Sequence, residues 1–439
     1  MRDPGRKYEA VGRLSAHKAC YVVAAQRAVS ERGLRILDAS AKRTILAFTA
    51  CYLPGYKGGG PIRSVANIAD RLGDEFSFRV FTSDRDYGDG DPYPGIALDC
   101  WVSVGNAQVR YATRRGQAVG NLVRLLRNTR HDVLYFNSLF NPRFTLLPLV
   151  LRRLGLIDSK PVVLAPRGEL DAGALALKPV KKRTFLTIAR WLRLYSGITW
   201  QASSELEARR VIEVMGAPPD HVLVAPNLPG TPGSHYGRPG TRRPGDPLVI
   251  TFLSRISRKK NLDFALCVLR DVHVPVSFLI YGVTEDKSYW SECLRLIDEL
   301  PDHIRVEYRG DVQHSQVHEV LSAADLFFLP TKGENYGHVI LEALAAGLPV
   351  LISDQTPWAD LAERGAGWVL PLEDTASFAV VISEYANDSV GQRTAMSERA
   401  RAYAEQVLVA DTVLQANIAL FRNALAQAET AVSRESRIK

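Results

Sequence analysis

Cysteine is scarce and scattered in this 439-residue chain: Cys20, Cys51, Cys100, Cys267 and Cys293, with no C-x-x-C pair and no Cys/His cluster. An odd, unclustered set argues against a disulfide framework and against a zinc site, and it fits a reducing compartment. Long hydrophobic runs are missing too. The stretch 145–151 ends at Arg152 and Arg153, too short to span a bilayer. The N-terminus is basic but has no apolar core of the kind a signal peptide carries, so the chain is expected to remain in the cytoplasm. No zinc finger, aromatic RNA platform or basic-region helix accompanies the net charge of +8. The positive excess is therefore assigned to nucleotide diphosphates or anionic lipid, and no nucleic-acid partner is expected.

What is present is the composition of a globular protein, 46% hydrophobic and 23% charged, at a length that suits two domains. Residues 1–41 form a basic extension, with a helical pattern between Ala16 and Arg32. Apolar, β-branched runs then recur at Thr44–Thr49, Phe78–Thr82, Val133–Asn137, Val162–Ala165 and Ile198–Ala202, separated by helix-period segments such as Ile62–Leu72 and Gln117–Arg127. Strand and helix in alternation predict a parallel sheet over 42–228. Residues 229–247 contain five Gly and five Pro with no apolar run, which marks a linker. The alternation restarts over 248–408, with strands expected at Leu248–Leu253, Val276–Tyr281, Val306–Tyr308, Leu326–Leu329 and Val350–Ser353. A last helix pattern begins near Asp411 within the terminal segment 409–439.

The most informative segment is 326–354, LFFLPTKGENYGHVILEALAAGLPVLISD. An apolar run reads as a buried strand, a Gly-containing loop follows, and a helix pattern starts near His338. Gly347 then supplies a left-handed stop before Pro349 and the next strand. The loop thus lies at the carboxyl end of a strand, where open α/β sheets bind ligands. Glu334 and Glu342 are separated by seven residues. Between them, Tyr336, Gly337 and His338 lead into a helix start whose free N–H groups and positive dipole end suit a phosphate.

Two further segments carry similar chemistry. In FLSRISRKKNLDFAL, Arg255 and Lys260 follow the first strand of the second half. There a planar fork and a point charge can neutralise a departing diphosphate. Arg258 and Lys259 between them are expected to point elsewhere. In CYLPGYKGGGPIRSV, Gly58, Gly59 and Gly60 let backbone approach a ligand, Pro61 suits a first helical turn, and Arg63 follows.

The Glu334-x7-Glu342 segment resembles the E-x7-E motif of retaining glycosyltransferases of group 1 with the GT-B fold, including members that assemble bacterial polysaccharides. Arg255 and Lys260 match that family's R-x4-K spacing, and Gly59 and Gly60 its N-terminal glycine loop. The resemblance implies an α/β architecture of two Rossmann-like, doubly wound parallel-sheet domains facing a cleft, with the terminal helix returning to the first. It also implies a hexosyltransferase-type enzyme using a UDP- or GDP-sugar as substrate, with no resident cofactor and no metal. Glu342 would hold the ribose, Glu334 would lie beside the transferred sugar, and Arg255 and Lys260 would face the leaving diphosphate. Tyr336, Gly337 and His338 would surround the donor, and Val312, in Gly310-Asp311-Val312, would read the base. The acceptor would be a saccharide or a lipid-linked saccharide in polysaccharide biosynthesis.

Other readings stay open at this point. A non-catalytic nucleotide-sugar-binding subunit, a sugar-nucleotide epimerase or an inverting transferase could share the architecture. An inverting enzyme would need a base, with Glu169 or Asp171 of PRGELDAGALALKPVKKR first in line. Asn137 and Asn141 can contact an acceptor or cap the following turn. Asp84-Arg85-Asp86 and Asp89-Gly90-Asp91 fit a D-x-D metal pattern but sit in a turn-rich loop that explains them. Between Lys178 and Leu194, cations alternate with Phe185, Leu186, Ile188, Trp191 and Leu192. Such a helix can lie on an anionic leaflet at the inner face of the cytoplasmic membrane, or bury its apolar side in the first-domain core.

Overall fold

Arg43–Phe48 (β1) places Ile45, Leu46, Ala47 and Phe48 all out of solvent, the pattern of a central strand covered on both faces. The computed structural model describes residues 42–176, 179–230 and 246–438. The basic extension 1–41 and most of the Pro/Gly segment 229–247 lie outside the described residues.

The first sheet adds Phe76–Ser83 (β2), Trp101–Val104 (β3), Ala107–Ala112 (β4), Val133–Phe136 (β5), Val162–Leu164 (β6), Thr199–Ala202 (β7) and Val222–Val224 (β8). Their order is β3-β4-β2-β1-β5-β6-β7-β8, parallel throughout except for the β3–β4 pair. That antiparallel pair, which was not expected, turns at the two-residue hairpin signal Gly105-Asn106. Strand β8 was also not expected.

The second sheet comprises Leu248–Leu253 (β9), Val276–Tyr281 (β10), Ile304–Tyr308 (β11), Leu326–Leu329 (β12), Val350–Ser353 (β13) and Gly367–Leu370 (β14). It is all parallel, in the order β11-β10-β9-β12-β13-β14. Strand β9 lies between β10 on one side and β12 on the other, so the crevice at their carboxyl ends is a topological switch point.

The strand period of two sorts the first-domain core onto two faces. Ile45 and Ala47 join one apolar cluster, Leu46 and Phe48 another. The cluster around Ile45 is completed by the terminal helix Asp411–Ile438, which supplies Ile418, Leu420, Phe421, Ala424 and Leu425. Phe421 sits 5.6 Å from Phe76 and 5.5 Å from Tyr135, ring centre to ring centre. Asn417, fully buried, donates to the Pro226 carbonyl at 2.8 Å and accepts from Gln201 at 3.1 Å. The preceding helix Val390–Leu408 packs into the second-domain core through Ala400, Tyr403, Ala404 and Leu408. The chain therefore crosses between the domains again just after Leu408.

Candidate functional site

The loops after β1, β6 and β8 in the first domain and after β9, β10, β11 and β12 in the second converge on one cleft of about 270 Å³. Gly59, Gly60, Arg255, Lys260, Val312, Glu334, Tyr336, Gly337, His338 and Glu342 all line it. Residues spread over nearly 300 positions meet because each follows the carboxyl end of a strand.

The glycine loop is shaped from beneath by a carboxylate. Asp86 accepts from the Tyr56 and Lys57 amides at 2.7 and 3.0 Å and from its own neighbour Tyr87 at 2.7 Å. Gly59 has φ 67° and ψ −138°, outside the range that suits side-chain-bearing residues. It caps the helix Gly60–Arg71, with Pro61 in the first turn. A Cβ on Gly59 would lie 3.7 Å from Arg255 Nε, and one on Gly60 3.8 Å from the His338 ring. The loop is thus the wall directly opposite those two residues.

Asp84 is paired with Arg85 at 2.8 Å, and Asp89 with Lys57 at 2.6 Å. Asp84, Asp86 and Asp89 of the D-x-D pattern are thus engaged in loop structure. Among the described residues, no group of three or more His, Cys, Asp or Glu is placed to hold a metal ion.

On the second-domain wall, the loop after β9 is stitched to the loop after β12. The Lys259 carbonyl accepts from the Lys332 amide at 2.8 Å and from the Thr331 hydroxyl at 3.0 Å. Lys260 Nζ then donates directly to Glu334 Oε2. Burial would raise the Glu334 carboxyl, but the Lys260 charge and hydrogen bond outweigh it, holding the acid below its ordinary value. Burial also pushes the Lys260 ammonium down. The Glu334 amide donates to the Gln355 carbonyl at 2.9 Å, which fixes the loop. Arg255 pairs with Glu285 at 3.1 Å. Arg258 turns away to Glu292 and the face of Tyr289. Lys259, expected to point elsewhere, instead lines the cleft and reaches Asp171 of the first domain at 3.6 Å.

Gly337, at φ 81° and ψ 58°, caps the helix His338–Ala345 and carries no side chain to cover its first amides. The start of that helix therefore opens toward the cleft. Tyr336 packs at a tilt between His338 and Trp358, with ring centres 4.8 and 5.6 Å away, and Trp358 donates to the Tyr336 carbonyl at 2.5 Å. Burial lowers His338 to about 3, helped by the charges of Arg167 and Arg63, so the ring is neutral. Burial raises Glu342 to about 7 against the opposing pull of Arg63. His314 Nδ1 stands 3.8 Å from that carboxylate.

The two walls touch at several points. Ser64 Oγ and His338 Nε2 are 3.2 Å apart, Tyr56 donates to Asp311 at 2.5 Å, and Ser203 donates to Asn335 Oδ1 at 2.6 Å. Asp311 precedes Val312, so the loop expected near the base is held by the glycine-loop segment.

The remaining candidates sort themselves by partner. Glu169 accepts from the Leu139 and Phe140 amides and from Ser138, and Asp171 pairs with Arg210 at 2.8 Å. Both carboxylates are engaged in structural contacts, and neither lines the cleft. Asn141 accepts from the Arg143 and Phe144 amides as the cap of Pro142–Leu146. Asn137 donates to the Pro61 carbonyl at 2.9 Å and accepts from Arg167 at 2.7 Å. Arg167, left-handed at φ 56°, lines the cleft at the strand end where the sequence offers it together with Glu169 in place of the family's His. Its signal was the strained Arg-Gly pair at a strand end.

The helix Pro179–Trp191 buries Leu186 and Ala189 but leaves Trp191 82% exposed, with Val180, Ile188 and Leu192 also outside. Leu154 and Leu156, from the end of the neighbouring helix Leu147–Arg153, are exposed as well, and Arg153 donates to the Leu192 carbonyl at 3.3 Å. Among the described residues no helix is long and apolar enough to cross a membrane.

Residues 238–403 match the family model described as glycosyl transferases group 1. The chain is 28% identical over 193 residues to WcaL of Salmonella typhimurium, named as a candidate colanic acid biosynthesis glycosyltransferase. It is 30% identical over 204 residues to the D-inositol 3-phosphate glycosyltransferase of Nocardia farcinica. These matches cover 42% and 43% of this chain and 46% and 44% of the relatives, so the chain spans about half the length of the curated relatives it matches. In fold it is similar to Anabaena Alr3699/HepE, solved with UDP and glucose. That likeness has a TM-score of 0.63 at 18% identity, over 89% of this chain and all of that one. It is also similar to WaaG, a glycosyltransferase involved in lipopolysaccharide biosynthesis. There the TM-score is 0.59 at 15% identity, over 85% of this chain and 98% of that one.

Proposed function

For a chain whose residues 238–403 belong to the glycosyl transferases group 1 family and whose two domains form a GT-B fold, we propose transfer of a sugar from a UDP- or GDP-sugar to a saccharide or lipid-linked saccharide. One observation carries this reading: the Lys260–Glu334 pair and the open helix start at Gly337 share a cleft with Glu342, Arg255 and the glycine loop. The helix start and Arg255 meet the diphosphate, Glu342 holds the ribose, and Lys260 offsets charge on the departing phosphate. Glu334, fixed by Lys260, orients the donor sugar. Tyr336, His338 and Val312 complete the donor pocket.

Transfer proceeds with retention and without a metal. The bond from the anomeric carbon to the phosphate oxygen breaks, and the acceptor oxygen bonds to that carbon from the same face. With Glu169 and Asp171 committed elsewhere, the acceptor proton passes to the departing phosphate oxygen. Closure of the cleft excludes water from the reacting centre. A role in polysaccharide assembly is supported by the similarity to WcaL, named for colanic acid biosynthesis.

Product anomer analysis by NMR, after a thermal-shift panel of nucleoside diphosphates has identified the donor, tests the assignment. Retained configuration is expected; an inverted product, or free epimerised nucleotide sugar, rejects it. The helix Pro179–Trp191 is proposed to rest on the anionic inner leaflet, its exposed Trp191 and Ile188 inserted and its cations at the headgroups. Flotation with phosphatidylserine-containing vesicles should recover the protein, and Trp191→Glu should stay in the dense fraction. Equal recovery of both would remove the membrane assignment.

A further inference from the structure

Most cations of the cleft already have an acidic partner. Lys57 has Asp89 at 2.6 Å, Lys259 has Asp171 at 3.6 Å, Arg255 has Glu285 at 3.1 Å and Lys260 has Glu334. Arg63 and Arg167 differ: among the described residues, neither has a carboxylate within 4.0 Å. The acidic group whose field reaches Arg63 is Glu342, on the opposite wall and beyond ion-pair distance.

Arg167 is held rigidly without being neutralised. Its Nε donates to Asn137 Oδ1 at 2.7 Å, Nη1 to Asn227 Oδ1 and Nη2 to the Tyr135 hydroxyl, all uncharged acceptors. Three of the five guanidinium N–H groups are thereby used, and two remain at the cleft. Asn137 also binds the Pro61 carbonyl at 2.9 Å, which ties the Arg167 fork to the helix start that carries Arg63. The charges of both arginines act on His338, whose Nε2 lies 3.2 Å from Ser64 Oγ in that same first turn. Both cations thus border the cleft where the first-domain helix start meets His338 of the second domain.

A half-buried guanidinium oriented by neutral groups is poised for an anion rather than for a hydroxyl. The donor diphosphate has its own partners across the cleft, at Arg255, Lys260 and the helix start near Gly337. We propose that Arg63 and Arg167 bind an anionic substituent, a phosphate or a carboxylate, carried by the sugar acceptor, so that charged acceptors are selected over neutral ones. This rests on the glycosyltransferase reading above.

Titration calorimetry on the full-length protein tests it. UDP and GDP are titrated first. The nucleotide-saturated protein is then titrated with glucose 6-phosphate, glucuronate and glucose. At least one charged sugar should bind about tenfold or more tightly than glucose, as charge-assisted pairing to an arginine fork requires. Arg63→Gln should erase that preference and weaken the charged sugar several-fold more than it weakens the nucleotide. Arg167→Lys, which keeps the charge but loses the fork, should weaken the preference in part. Arg63 makes no hydrogen bond that folding depends on, so its variant carries the test if Arg167→Lys misfolds.

Charged sugars binding no better than glucose would overturn the inference alone. So would anion binding that disappears once nucleotide is present, or an Arg63→Gln variant that weakens the nucleotide as much as the sugar. In those cases the arginines serve the donor. Failure of both nucleotides to bind would sink the glycosyltransferase reading and the inference with it.

Discussion

On the second-domain wall each cation of the cleft stands beside a carboxylate: Arg255 with Glu285, Lys259 with Asp171, Lys260 with Glu334. On the first-domain wall Arg63 and Arg167 face the same space with only neutral groups or none at hand. The contrast separates two ways of preparing a site. A paired cation keeps its geometry before a ligand arrives, and the ligand gains by competing with the resident acid. A cation held by amides and a phenol keeps its full field, so the ligand's own charge decides whether it stays. Under the proposed assignment, the donor side is built for fixed placement of one chemistry and the acceptor side for discrimination.

Breaking the paired side should have the largest effect. Lys260→Ala leaves the buried Glu334 without its partner, and turnover should fall by about 10²–10³-fold. Stability should drop by about 3 kcal/mol at neutral pH, because an unmatched buried charge is costly. Nucleoside-diphosphate release and urea denaturation report the two quantities. Values within a factor of three and about 0.5 kcal/mol of wild type would show that the pair fixes nothing.

The two glutamates should then part company. Glu342→Ala should weaken nucleotide binding about tenfold and leave saturated turnover little changed, whereas Glu334→Ala should lower turnover with nucleotide affinity kept. Calorimetry beside steady-state kinetics distinguishes them. If both variants match wild type, the division of labour is wrong.

The smallest effect is on pH dependence. Burial lifts Glu342 from 4.5 to about 7 in the folded chain, against the pull of Arg63. Between those values the folded state holds a proton that the unfolded state has released, so stability falls as pH rises from about 4.5 to 7 and is level above. Glu342→Gln removes that slope. The variant should exceed wild type at pH 8 by on the order of 1 kcal/mol, a discounted figure because 31% of the side chain remains exposed, and should equal it near pH 4.5. Denaturation midpoints across pH 4.5–8 check the sign; a variant less stable than wild type at pH 8 contradicts it.

Local signals carried far in this chain. The run Leu326–Leu329, the stop at Gly347 (φ 77°) and the strand Val350–Ser353 emerged where their chemistry put them, because each depends on neighbours within a few residues. Strand β11 begins two residues earlier than expected, at Ile304, since Arg305 on a half-covered edge strand dilutes the apolar run. The hairpin Trp101–Ala112 escaped because alternation around Gly105-Asn106 reads as a solvated loop unless a two-period pattern is sought. The roles of Asp86 and Lys259 and the partners of Arg167 were illegible for a different reason. Asp86 works on amides 30 residues upstream, Lys259 meets an acid 88 positions away, and Arg167 draws its partners from the end of β5 and from the segment after β8. Tertiary placement alone gives those residues their meaning.

The terminal helix has a consequence for how this protein can be taken apart. A polypeptide that ends at 230 lacks Ile418, Leu420 and Phe421, and so leaves one side of its sheet open. One that begins at 246 carries those residues on a helix with nothing of its own to cover them. Each piece is thus left with the other's missing surface. Co-expressed, the halves should find one another through Phe421, Asn417 and the Arg422–Glu75 pair at 2.6 Å, and assemble as a two-chain protein without the intervening segment.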